Sequence, residues 1–91
     1  MAFSAGMNIE EVRRLARDLG NQADNINNNL IPQINGILTQ LEANWSGGDF
    51  IKFKGWWETE HRPHLQKLAG DIGGLGQSAL NNAQEQENVS K

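Results

Sequence analysis

Glu58, Glu60, His61 and His64 are the only grouping in this chain with metal-binding or acid–base side chains at helical spacing. Glu60 and His64 stand four apart, and Glu58 and His61 three apart, so each pair shares a helix face. Pro63 splits the set, no third ligand group is evident, and the His-Glu-x-x-His pattern is missing. The grouping reads as a solvated face beside a kink, with no metal and no cofactor. Arg13, Arg14 and Arg17 form a basic patch, but Glu10, Glu11 and Asp18 are interleaved with them and make an ion-paired surface instead of a phosphate site. Gly70, Gly73, Gly74 and Gly76 follow a helical pattern and lack the Gly-Lys-Ser/Thr of a phosphate loop. Ser46 has no base beside it and reads as a cap. No constellation meets the geometric requirements of catalysis, so a non-enzymatic chain is expected.

The elements that carry these residues are limited by length. Ninety-one residues and 10.1 kDa hold one small domain. Hydrophobic residues make up 37% of the chain, below the usual share, so a monomer would struggle to enclose a core. There is no cysteine, which removes disulfides, thiol nucleophiles and thiolate metal sites. A net charge of −3 argues against a nucleic-acid partner. No apolar run approaches a membrane span, and Met1–Asn8 lacks the basic start and apolar block of a cleavable signal peptide.

Apolar positions reveal two helices. Ile9, Val12, Ala16, Leu19, Ala23, Ile26, Leu30, Ile34, Ile37 and Leu41 follow one another in steps of three and four. Leu15, Ile31 and Leu38 widen that stripe to about 160°, more than one antiparallel neighbour covers. Phe50, Phe53, Trp57, His61, Leu65, Leu68, Ile72, Leu75, Ala79 and Ala83 repeat the rhythm. The spacing predicts an all-α antiparallel hairpin forming a single domain over 1–91. Helix one runs over about 8–44, the turn over 45–48, helix two over about 49–83, and a flexible tail over 84–91.

Local signals mark the starts and the weak points. Asn8 caps helix one, with Glu11 three residues on and Met7 and Val12 placed as a hydrophobic staple. At Trp45-Ser46-Gly47-Gly48-Asp49, either Ser46 caps helix two or Asp49 does so with Gly47 or Gly48 in a left-handed conformation. Pro32 and Pro63 fall at one height in a hairpin that turns at Gly47–Gly48, and both arms are expected to bend there instead of ending. Asn27, Asn28 and Asn29 are poor helix formers, so helix one is weakest just before Pro32. The C-terminal glycines either admit a close neighbour or mark a frayed end. Trp45, Phe50, Phe53, Trp56 and Trp57 crowd the tip, and Trp56 and Trp57 point in adjacent directions that one neighbour cannot cover.

Two long amphipathic helices joined by a central Trp45-Ser46-Gly47 resemble the Trp-X-Gly (WXG, ESAT-like) family of small type VII secretion proteins. The resemblance covers residues 8–83, and Phe53, Trp57, Pro63, Leu65 and Leu68 also look like second helices of actinobacterial members. It implies hairpins pairing into four-helix bundles, as a homodimer or as a heterodimer with a related chain. It also implies synthesis in the bacterial cytoplasm, export without a cleaved signal peptide, and contact with the secretion machinery. Many members or their partners carry Tyr-x-x-x-Asp/Glu after helix two; here the frame Ala83 to Glu87 keeps the acid and lacks the ring. A partner carrying that signal is therefore expected.

The resulting expectation is a secreted partner protein whose turn is shaped by Trp45, Ser46, Gly47, Gly48 and Asp49. Its partner-binding residues are Leu19, Ile26, Leu30, Ile34, Trp56, Trp57, Leu65, Leu68, Ile72 and Leu75, with an aromatic cleft near Trp45 and Trp56 for the machinery or a partner's tail. The competing readings are an intracellular helical adaptor and a secreted effector whose aromatic tip contacts membranes.

Overall fold

Asn8 opens the first arm. Its backbone is extended, its side-chain oxygen accepts from the Glu11 N–H at 3.2 Å, and its carbonyl accepts from the Val12 N–H at 2.9 Å. Two orphan groups of the first helical turn are thereby satisfied. In the computed structural model, which describes residues 7–45 and 47–90, the first arm comprises α1 (Ile9–Asn25), a five-residue π-turn (Ile26–Leu30) and α2 (Ile31–Asn44). The second comprises α3 (Gly48–Trp56), a second π-turn (Trp57–His61) and α4 (Arg62–Ser90). The chain is an all-α hairpin of two long arms joined by a short turn.

Neither proline ends its arm. Asn25, Ile26, Leu30 and Ile31 around the first π-turn, and Trp56, Trp57 and Arg62 around the second, all keep right-handed helical angles. The helix accommodates each ring by widening: Ile31 N–H donates to the Ile26 carbonyl and Arg62 N–H to the Trp57 carbonyl, five residues back instead of four. A proline ring clashes with the carbonyl four residues before it, and a π-turn at that place moves the hydrogen-bond register aside.

Two kinds of packing hold the arms together. Towards the chain ends the seam is made of small residues, with Ala16 and Ala23 of α1 and Ala69, Gly76 and Ala83 of α4 all buried. A Cβ on Gly76 would lie 2.8 Å from the Ala16 carbonyl oxygen, so only glycine lets the backbones come this close. Towards the turn, Ile31, Leu38 and Trp57 form the core, flanked by Ile26, Ile34, Leu41 and Leu65. These bulkier side chains hold α2 and α3 apart, and the closest backbone approach is that of α1 to α4. The hairpin measures 65 × 18 × 16 Å. Its radius of gyration is 19.7 Å, whereas a compact chain of this length would have about 12 Å.

Two boundaries differ from the sequence reading. Helix two is capped by neither Ser46 nor Asp49. Gly47 is the N-cap, at φ 120°, with its carbonyl accepting from Ile51 N–H, and Asp49 lies inside the first turn near the positive helix end. Ser46 itself lies outside the described residues. Helix two also continues past residue 83 to Ser90, where a tail was expected. Ala83 is fully buried against the first arm, and Arg13 of α1 bonds Glu87 at 2.5 Å, so tertiary contacts extend the helix through a stretch without apolar periodicity.

Candidate docking surface

The exposed apolar side chains follow a rule. Leu15 precedes buried Ala16, Leu30 precedes Ile31, Ile37 precedes Leu38, and Trp56 precedes Trp57. In α4, Leu68 precedes Ala69 and Leu75 precedes buried Gly76. Stepping back one residue turns a side chain about 100° away from the seam. Because the arms are antiparallel, that step leads in both of them to the same side of the hairpin. The residues just after the buried positions take the opposite side, and they are Arg17, Asp24, Pro32, Thr39, Glu58, Gly70, Gln77 and Gln84, with Ile51 as the apolar exception. The hairpin thus has one apolar face running its length and one polar face behind it.

Of the residues read from sequence as partner-binding, Leu68, Leu75 and Trp56 are the most open; Trp56 is 59% and Leu75 62% exposed. Leu19 and Leu30 are exposed on the same side, while Ile26, Ile34, Leu65 and Ile72 are half-buried, shared between this face and the seam. Trp57 departs from the reading. It is 8% exposed, and its indole Nε1–H donates to the Asn35 side-chain oxygen at 2.7 Å, so it belongs to the hairpin's own core. Leu15, Ile37 and Phe53 lie on the apolar face as well, though the sequence reading did not assign them to a partner. Their signal was their position directly before, or among, the stripe's most regular members, which periodicity alone places on the seam's flank.

At the tip, the Trp45 ring meets Phe50 edge-on and Phe53 at a tilt, each with centroids 5.7 Å apart. Phe50 is buried, and Trp45 and Phe53 remain open on their outer sides. The cluster pins the turn to α3 and extends the apolar face to the end of the molecule. The polar face carries a cleft of about 230 Å³ lined by Asn35, Leu38, Thr39, Glu42, Lys54, Trp57, Glu58 and Arg62. Lys54 bridges to Glu42 across it at 3.4 Å.

Charges are paired along the arms and keep clear of the apolar face. Arg14 bonds both Glu11 and Asp18, and Arg13 bonds Glu10 and Glu87. The bond from Arg14 holds the Glu11 carboxyl below its usual range and raises the guanidinium. The bond to Asp71, 2.9 Å long, raises Lys67. All are solvated surface pairs with the structural role of helix support. The basic patch of Arg13, Arg14 and Arg17 is thus an ion-paired face. Among the described residues, no three His, Cys, Asp or Glu side chains group closely enough to hold a metal, and no helix is long and apolar enough to cross a membrane. Comparison with protein-family models, curated proteins and solved structures finds no match.

Proposed function

We propose that this chain is a non-enzymatic, secreted partner protein of a type VII secretion system, acting by laying its apolar face on a second hairpin. The observation that carries the reading is the continuous apolar face over both arms, with Trp45-Ser46-Gly47 at their junction. The second hairpin is another copy or a related chain, and the pair forms a four-helix bundle. The accessible surface, 6497 Å², is on the order of 1,200 Å² above the amount usual for this mass. A standard interface takes roughly 800 Å² from each partner, so the excess is of the size that a stable pairing consumes. Covering one large aliphatic side chain contributes about 1.5–3 kcal/mol, and the face offers several. Without Tyr-x-x-x-Asp/Glu after Ala83, export depends on a partner bearing that signal.

Fractionation of the native host tests the reading. The chain should appear in the medium and vanish from it when the secretion ATPase is deleted. Retention with the cells in both strains would overturn it and favour an intracellular adaptor. Export from a strain lacking every related chain would overturn the dependence on a partner's signal.

A further inference from the structure

We infer that the hairpin is jointed at mid-height, its base (α1 with α4) and its tip (α2 with α3) reorienting about the two π-turns as separate units. The two arms carry the same device in the same order: five π-helical residues, one further residue, then proline. Each proline donates no hydrogen bond, and the residue before it donates to a carbonyl five back. π-Turns and prolines are the two commonest causes of helix bending, and here they coincide in each arm. In the second π-turn the Thr59 hydroxyl also donates to the Gly55 carbonyl at 2.7 Å, a back-bond that favours curvature.

Position makes the two devices one joint. Two struts fixed side by side bend only where both are weak at the same height. Ala16 meets Gly76, Ala23 meets Gly73, Asn35 bonds Trp57, and Glu42 bonds Lys54. These pairs are centred on residues 46 to 48, and so is the pair Pro32 and Pro63. Little packing stiffens that level, since Asn27, Asn28, Asn29, Glu58, Thr59, Glu60 and His61 are all exposed. On one side of it the base is locked by backbone contact at the Ala–Gly seam, and on the other the tip is held by Ile31, Leu38 and Trp57. The joint therefore divides the apolar face into a base segment, Leu15, Leu19, Leu68 and Leu75, and a tip segment, Ile37, Phe53 and Trp56. It sets the angle between them. This inference rests on the fold alone and stands whether or not the chain is exported.

The chain has no cysteine, so paired spin labels report it directly. One pair spans the joint, Gln22→Cys with Gln40→Cys, and a control of equal span lies within α4, Gln66→Cys with Gln84→Cys. All four sites are exposed. With labelled chain diluted into unlabelled chain, the distance distribution across the joint should be about twice as broad as the control, or split in two. In a folded P32A/P63A double variant the distribution across the joint should narrow towards the control. A distribution across the joint no broader than the control overturns the inference, and so does a double variant that stays folded and equally broad. Should the double variant fail to fold, the comparison of the two pairs in the wild-type background decides alone.

Discussion

Gly76 and its neighbouring glycines separate two effects that composition merges. Gly70 and Gly74 face open space, so alanine there should gain helix propensity and stabilise by about 0.5–1 kcal/mol. Gly76→Ala gains the same propensity but drives a Cβ into the Ala16 carbonyl, and should lower stability by a net of about 1–3 kcal/mol. Denaturant unfolding of the three variants checks the difference in sign. Trp57→Phe loses the bond to the exposed Asn35 amide and should cost about 1 kcal/mol, whereas Trp57→Ala empties the tip core and should cost about 3–5 kcal/mol. Glu11 adds a pH dependence. Its folded carboxyl titrates below the unfolded one, so its contribution is present above the ordinary carboxylate range and fades as pH falls through the lowered value. Both Glu11 and Arg14 are exposed, which confines the loss to fraying of the first turn, visible as amide shifts at residues 9–12 in an acid titration.

At the scale of the element, the prolines and the last two helical turns are the informative cases. Periodicity located both arms and the level at which their rhythm falters, because a 3.6-residue repeat survives in the residues however the backbone adjusts. How the backbone adjusts is a matter of hydrogen-bond geometry, and the π-turns leave no mark that a count of apolar steps would detect. The extension to Ser90 has a different origin. Residues 84–90 offer no stripe of their own, and Ala83 and the Arg13–Glu87 pair supply the contacts from the other arm. Amide exchange at 84–88 should consequently be slowed at least about tenfold relative to an unstructured chain. Glu87→Gln, which removes a partly exposed ion pair, should cost no more than about 1 kcal/mol and speed exchange in that stretch.

For the whole molecule, the decisive property is that one face is greasy and the other is not. Leu68→Asp and Leu75→Asp each place a charge on the apolar face and should weaken pairing more than tenfold by light scattering or sedimentation. Ile51, 71% exposed, lies on the opposite side, so Ile51→Asp is the matched control and should leave pairing unchanged. Equal effects from all three substitutions would mean that association is non-specific stickiness and not docking by a face.

Residue order by itself determined the two helices, their antiparallel reversal at Trp45–Asp49, the Asn8 cap, and the excess of apolar surface over what one neighbour covers. Each of these follows from local rules: periodicity, cap chemistry, and the cost of reversing a chain without glycine. Tertiary structure decided which member of the broad stripe faces which way. Leu68 and Ala69 both belong to the stripe, and only the distance between arms, set where Gly76 meets Ala16, selects the small residue for the seam and turns the large one outward. The same selection sent Trp57 into the core and left Trp56 in solvent. A pattern of hydrophobicity specifies how much surface must be hidden; the closeness of the backbones specifies which side chains can hide it.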